Sequence, residues 1–106
     1  VSAATLSHLG AIATDLGADI VKLDYAGDVE SMNTVVDSCP LPIVVAGGAY
    51  SDDEAAIALG TEVAASRVAG LSFGRHVFGA QDPARVATAL AEQLHTAPVP
   101  RTLELA

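Results

Sequence analysis

Hydrophobic and polar residues along the chain follow two alternating periods. Apolar residues recur every three or four positions in some segments, which predicts amphipathic helices. Other segments are short and mostly apolar, which is typical of strands between turn residues. Together they predict the order α-β-α-β-α-β-α, with helices at about 6–16, 29–36, 51–69 and 83–95, strands at 19–25, 43–46 and 70–74, and one helical turn at 75–78.

Local signals mark several element boundaries. Ser51 and Glu54 have the spacing of a capping box, which predicts a helix start at Ser51. Asp82 followed by Pro83 predicts the start of the last helix, since proline is favoured at the first helical position. The run 43–46 is apolar throughout, which predicts a parallel strand buried on both faces.

Strands separated by helices pair in parallel through right-handed crossovers. This order fits either an open doubly wound sheet or part of a (β/α)₈ barrel. Three strands are too few to close a barrel, which needs roughly 250 residues. We expect one α/β domain over residues 1–97 and an irregular tail over residues 98–106.

Composition excludes several functional classes. The net charge of the 106 residues is −8, which argues against binding nucleic acid or an anionic membrane. No apolar stretch reaches the roughly 18 residues of a membrane-spanning helix, and the first residues do not resemble a signal peptide. Cys39 is the only cysteine, so no disulfide forms within the chain, and a cytoplasmic location is expected.

Lys22 is the sharpest chemical signal, because it is the only lysine and lies within an apolar strand. Burying an ammonium is costly, so burial there favours the neutral amine. A neutral amine attacks carbonyl groups to form a Schiff base. The alternative is a lysine at a sheet edge whose charged end reaches solvent.

Asp24 follows Lys22 by two residues, so both side chains are expected on one face of the strand. A carboxylate there would orient Lys22 or relay protons, although a cap of the following turn is an equal alternative. Tyr25 is expected on the opposite face. Asp28 is interpreted as a helix cap.

Two glycine-containing turns follow the second and third strands: Gly47-Gly48 and Gly74-Arg75. Parallel α/β proteins bind ligands at these strand ends, and glycines let backbone N–H groups approach an anion. Arg75 would add a fixed positive charge. Either pair alone is also consistent with a tight turn. His76 follows Arg75 and is thus placed to contact a ligand, but a surface histidine is the favoured interpretation. No metal or cofactor is expected.

Three segments resemble those of one enzyme family. Residues 17–28 match the pattern GAD-x-x-K-x-x-Y-x-G-D, residues 42–48 are similar to PV-x-x-x-GG, and residues 70–78 are similar to G-x-x-x-GRN-x-(F/W). These are segments of the archaeal and bacterial class I (Schiff-base) fructose-bisphosphate aldolases, the DeoC/FbaB (DhnA-like) family. The resemblance covers about residues 4–95, in the same order and spacing.

The resemblance implies the three C-terminal βα units, strands six to eight, of a (β/α)₈ TIM barrel. Lys22 matches the Schiff-base lysine, and Gly47, Gly48, Gly74 and Arg75 match segments that hold substrate phosphate. The implied activity is that of a class I aldolase of glycolysis or gluconeogenesis. By this resemblance the substrate is a phosphorylated ketose, the donor is dihydroxyacetone phosphate, and no cofactor takes part.

The chain also departs from the family pattern. Ala49-Tyr50 stand where the family usually has Pro-Lys, and His76 replaces the usual Asn. Family members take an acidic residue and a proton-transferring tyrosine from strands that have no counterpart in these residues. We therefore expect the chain to be inactive alone, and to form a homo-oligomer or to pair with an N-terminal half-barrel.

Three alternatives are consistent with the same residues. One is a related Schiff-base synthase, transaldolase or signalling-sugar aldolase of the same family. Another is a non-catalytic phosphate-binding half-barrel. The third is an unrelated phosphate-binding barrel in which Lys22 forms an ion pair.

Overall fold

The computed structural model describes residues 1–95, which form a parallel three-stranded sheet in the order β1-β2-β3 with helices between the strands. The predicted order of elements is confirmed. The predicted tail at 98–106 and the last two residues of the predicted domain lie outside the described residues. The elements are α1 (Ala3–Asp15), β1 (Val21–Leu23), α2 (Val29–Ser38), β2 (Ile43–Ala46), α3 (Asp53–Ala64), β3 (Gly70–Ser72), α4 (Arg75–Phe78) and α5 (Pro83–His95).

Carboxylates cap the starts of α2, α3 and α5, whereas the hydroxyl of Ser2 caps α1. Asp28 accepts a hydrogen bond from the Ser31 backbone N–H at 2.7 Å, so its predicted role as a cap of α2 is confirmed. The predicted start of α3 was wrong by one residue. Asp52, not Ser51, is the cap, and it accepts from the Ala55 N–H at 2.7 Å. An ionised carboxylate there also interacts favourably with the positive end of the helix dipole.

Helix α3 ends at Ala64, before the predicted end near Ala69. The backbone N–H of Arg67 donates to Asn33 Oδ1 at 2.8 Å instead of to a helical carbonyl. This contact with α2 follows the end of the helix and directs the chain toward β3. β1 (21–23) and β3 (70–72) are also shorter than predicted, whereas β2 keeps its predicted limits.

Side chains alternate between two unlike faces of the sheet. Leu23, Ile43 and Val45 are buried on one face, which we call the helix-covered face. Lys22 and Val44 are register partners and lie on the other, the open face. The expectation that 43–46 is buried on both faces was wrong, because Val44 is only half-buried. The helices α1, α2, α3 and α5 contribute buried side chains to the helix-covered face alone.

The core consists of two adjoining clusters. In the smaller one, Leu90 of α5 occupies the space where a Cβ at Gly60 of α3 would lie. The absence of a side chain at Gly60 therefore lets the two helices approach closely. The larger cluster contains Leu6, Leu23, Met32, Val35, Val36, Cys39, Ile43, Val45, Val63 and Val68, and the smaller one Ala56, Val86 and Leu90.

Among residues 1–95, none of the helices has both the length and the hydropathy that crossing a membrane requires.

Candidate active site

A cleft of about 370 Å³ lies on the open face, at the carboxyl ends of the three strands. It brings together residues from three separate segments of the chain. Every residue that the sequence singled out for catalysis or phosphate binding lines it, while their chemical roles stay predictions. The lining residues are Lys22, Asp24, Ala46, Gly47, Gly48, Ser72, Gly74, Arg75 and Phe78.

Lys22 lies in the middle of β1 and opens into the cleft. Its side chain is exposed, so the expectation of an amine held among apolar neighbours was wrong for the residues described. The physical reason is the register: Lys22 lies beside Val44, and the next partner across the sheet is Gly70, which has no side chain. Within residues 1–95 no helix buries Lys22.

Asp24 follows β1 and lines the same cleft as Lys22, as the alternation of strand side chains predicts. Tyr25 lies against the larger core cluster instead, which also agrees with the prediction. Burial of the Tyr25 hydroxyl raises its pKa, and the nearby Glu62 carboxylate raises it further. Tyr25 therefore remains a neutral phenol on the side of the sheet away from the cleft.

The turn after β2 requires both of its glycines. Gly48 has a φ of 71°, in the left-handed region that side-chain-bearing residues rarely adopt. Gly47 lies against two rings, since a Cβ there would come 2.9 Å from His76 Cε1 and 3.0 Å from Phe73 Cδ1. This close approach keeps the backbone of the turn at the rim of the cleft.

The turn after β3 supplies the positive charge of the cleft. Gly74 precedes the single turn of α4, and Arg75 is its first residue. Arg75 is exposed and forms no ion pair within residues 1–95. Its guanidinium is thus available to an anion, and a bidentate fork suits the oxygens of a phosphate.

His76 is the functional candidate whose burial the sequence did not predict. The prediction of a surface histidine was wrong: its side chain is only 3% exposed, because it lies between the turns that follow β2 and β3. The pKa of His76 is lowered by burial and, to a smaller extent, by the neighbouring Arg75 charge. The available signal was its replacement of the Asn usual in the similar family.

Tyr50 does not line the cleft, although it stands where the similar family usually has a lysine. Its hydroxyl donates to Asp53 Oδ1 at 2.7 Å. That hydrogen bond raises the pKa of Tyr50 and lowers the pKa of Asp53. Asp53 also accepts from the backbone N–H groups of Gln81 and Asp82, at 3.0 and 2.9 Å. These contacts tie the turn after β2 to the segment that precedes α5.

The arrangement places a primary amine, a carboxylate, a guanidinium and two glycine turns around one open cleft. Such a site suits a ligand that carries both a carbonyl group and an anion. Within residues 1–95 no group of three or more His, Cys, Asp or Glu is placed to hold a metal ion.

Fold and site together define an α/β chain whose parallel strands present a lysine, an arginine and two glycine turns in one cleft. The chain belongs to the DeoC/LacD family of aldolases, because the sequence profile of that family matches residues 2–80.

Two curated relatives and one solved structure illustrate the likeness. The chain is 39% identical over 93 residues to a 2-amino-4,5-dihydroxy-6-oxo-7-(phosphonooxy)heptanoate synthase of Streptomyces griseus, covering 87% of the chain and 34% of the relative. It is 37% identical over 95 residues to 2-amino-3,7-dideoxy-D-threo-hept-6-ulosonate synthase 1 of Archaeoglobus fulgidus, covering 90% and 35%. The chain spans about a third of the length of these relatives.

The solved structure is an archaeal fructose-1,6-bisphosphate aldolase whose catalytic lysine is covalently bound to the carbinolamine intermediate of the substrate. The TM-score is 0.80 at 26% identity, over 89% of this chain and 38% of that one. The α/β fold with parallel strands therefore matches part of a TIM-barrel aldolase.

Proposed function

We propose that this chain carries the Schiff-base lysine and the phosphate-binding turns of a class I aldolase acting on a phosphorylated ketose. The observation that carries the proposal is the single cleft shared by Lys22, Gly47-Gly48 and Gly74-Arg75. These residues come from the ends of three different strands. A cluster of this composition has no role in the core, because it lies on the face that no helix covers.

In the proposed reaction, the neutral Lys22 Nζ attacks the carbonyl carbon of the ketose. The carbonyl oxygen takes up protons and leaves as water, which gives a protonated imine. The protonated imine accepts the electron pair of the bond between its α- and β-carbons as that bond breaks. The hydroxyl on the β-carbon gives its proton to a base, which further chain would supply, and becomes the carbonyl of the released aldehyde. The electron pair is held as an enamine. Protonation and hydrolysis of the resulting imine regenerate Lys22, and the reverse sequence makes the bond.

The phosphate of the substrate would bind at the turns after β2 and β3. Backbone N–H groups at Gly47 and Gly48 approach an anion without side chains in the way. Arg75 adds an exposed positive charge at the cleft. Fixing the phosphate holds the carbonyl carbon beside Lys22, and such positioning supplies much of the rate enhancement in enzymes.

We propose dihydroxyacetone phosphate as the donor, on the names of one synthase and of the archaeal aldolase. The name of the Streptomyces griseus synthase describes an oxo carbon next to a phosphonooxy-bearing carbon. Fructose 1,6-bisphosphate, which names the archaeal enzyme, has a ketone and a phosphate ester in the same relation. A site with one amine and one phosphate pocket fits this shared unit.

Exposure of Lys22 implies that further chain takes part in the complete enzyme. Covering the open face would exclude water and favour the neutral amine. We propose that the three strands are strands six to eight of a (β/α)₈ barrel. Additional βα units, or a second subunit, would provide that cover and the acid–base groups needed for turnover. The described residues alone would then be inactive.

Borohydride trapping tests the covalent role of Lys22. The protein is incubated with dihydroxyacetone phosphate, reduced with sodium borohydride, digested, and mapped by mass spectrometry. We expect a reduced adduct on Lys22, and dihydroxyacetone without phosphate should give far less of it at equal concentration. No adduct at Lys22 under saturating donor rejects the proposal, and equal adduct from both ketones rejects the phosphate pocket.

A synthase is the second candidate, and two observations favour it. Identity to the two synthases is 37–39%, against 26% to the fructose-bisphosphate aldolase. Tyr50 also replaces the usual lysine and is bound to Asp53. Acceptor choice separates the two: an aldolase of the fructose-bisphosphate type consumes glyceraldehyde 3-phosphate, whereas a synthase of the other type prefers an aldehyde that carries amino and carboxylate groups.

A further inference from the structure

His76 connects the two turns that border the cleft without lining the cleft itself. It belongs to α4, after β3, and its Nε2 lies 3.0 Å from the carbonyl oxygen of Ala49, after β2. A carbonyl oxygen only accepts hydrogen bonds, so Nε2 carries the proton. Because the histidine is buried and its pKa is lowered, the ring is the neutral Nε2–H tautomer.

The other ring nitrogen fixes the position of the turn by contact. His76 Nδ1 is buried without a hydrogen-bond partner among the described residues. It lies against Gly47, where any Cβ would clash with it. The centroid of the Phe73 ring lies 5.0 Å from that of the imidazole, and the two ring planes are inclined at 58°. For the Tyr50 ring the centroid distance is 6.1 Å and the interplanar angle 56°. The imidazole thus has little freedom to rotate away from the glycine turn.

We propose that His76 is the positioning residue of the phosphate pocket. It holds the backbone of Gly47, Gly48 and Ala49 at a set distance from Arg75, so that both turns meet one phosphate. The inference rests on the proposed function of the cleft. Its mechanism is one donated hydrogen bond together with one close contact, both made by a side chain that does not itself touch the ligand.

Inorganic phosphate is the probe for this role, and backbone amide NMR shifts at Gly47 and Gly48 give its affinity. His76→Leu keeps the apolar bulk and removes the donor. His76→Gln places an amide N–H near the position of Nε2 and so restores it. We expect about five- to tenfold weaker binding for His76→Leu and an affinity within about twofold of wild type for His76→Gln. His8→Leu, at an exposed histidine of α1, is the matched control.

Several outcomes would overturn the role of His76. Unchanged affinity in His76→Leu shows that the donor is not needed. Equal losses in His76→Leu and His76→Gln show that ring volume, and not the hydrogen bond, positions the turn. Absence of phosphate binding by the wild-type protein is a different result, because it removes the pocket and with it the proposed function.

A measurement on the wild-type protein keeps the inference testable if His76→Leu does not fold. The ¹⁵N shifts of the His76 imidazole at neutral pH report which nitrogen carries the proton. We expect the Nε2–H tautomer, with a change in shift when phosphate is added. An Nδ1–H tautomer, or a ring whose shifts ignore bound phosphate, contradicts the proposed positioning.

Discussion

The two faces of the sheet are built from the same strands and have opposite character. On the helix-covered face, Ile43 and Val45 are 2% and 0% exposed. On the open face, Lys22 is exposed and its register partner Val44 is half-buried, although Val44 lies between Ile43 and Val45 in the chain. Stability is concentrated on the first face and polar chemistry on the second.

The difference shows why a functional residue can occupy an apolar strand at little cost. Successive side chains in a strand point to opposite faces, so Lys22 takes nothing from the core formed by Leu23. Burial of Leu23 anchors the strand and thereby fixes where the Lys22 side chain begins. The covered face acts as the scaffold for the open one, and substitutions on the two faces should separate stability from activity.

Lys22→Arg should have the largest effect on the open face. Arginine keeps the positive charge but cannot act as a neutral amine near neutral pH. Adduct formation with dihydroxyacetone phosphate should fall to background, a loss of at least about 100-fold. The free energy of unfolding should change by no more than about 0.5 kcal/mol, since the side chain is exposed. Borohydride trapping and urea denaturation measure the two quantities. Persistent labelling elsewhere in the protein would locate the reactive amine at another position.

Ile43→Ala should have the largest effect on the helix-covered face. Removing a fully buried isoleucine side chain leaves a cavity and costs about 2–5 kcal/mol. Val44→Ala, one residue along the same strand, is the matched control and should cost about 1 kcal/mol, because Val44 is half-buried. Urea denaturation gives both values. Similar losses for the two variants would contradict the distinction between the faces.

Arg75→Gln should weaken phosphate binding without weakening the fold. Loss of the guanidinium removes a charge-assisted hydrogen bond, so the Kd for dihydroxyacetone phosphate should rise about tenfold. Arg85→Gln is the matched control: Arg85 is exposed on α5 and pairs with Glu54, outside the cleft. Isothermal titration of both variants measures the change. If Arg85→Gln lowers affinity as much as Arg75→Gln, the effect is one of net charge and not of the pocket.

Substitution of Asp28, which caps α2, should have a small, pH-dependent effect on the stability of the fold. The Ser31 backbone N–H, followed by the Ser31 hydroxyl, lowers the pKa of this carboxyl from 3.8. A lowered folded-state pKa means that the stabilisation is present above pH 3.8 and is lost as the pH falls through the lower pKa of the folded state. Asp28→Ala should lower Tm at neutral pH by a few degrees and flatten this acid dependence.

Asp28→Asn, compared with Asp28→Ala, separates the capping hydrogen bond from the titration of the carboxyl group. Asparagine also caps helices, so its Tm at neutral pH should stay near that of wild type. Because an amide does not titrate, the acid dependence assigned to Asp28 should disappear. Thermal melts between about pH 2 and pH 7 make the comparison. An unchanged acid dependence in Asp28→Asn would assign it to other carboxylates.

Much of the fold could be predicted because it follows from local spacing. The apolar run Ile43–Ala46 has the same limits in the sequence and in the structure. Proline at Pro83 marked the start of α5, and the two-residue separation of Lys22 and Asp24 placed both on one face. The shift of the α3 cap to Asp52 was not predictable, since Ser51 and Asp52 both offer an acceptor at the same turn.

The sequence by itself determined the order of strands and helices, the side of β1 on which Lys22 lies, and the glycines at the two strand ends. Backbone geometry sets these features within a few residues. Only the tertiary structure decided that Lys22 is exposed and that His76 is buried. Burial depends on which distant segments lie against a residue: no helix covers Lys22, whereas the Gly47 turn closes over His76.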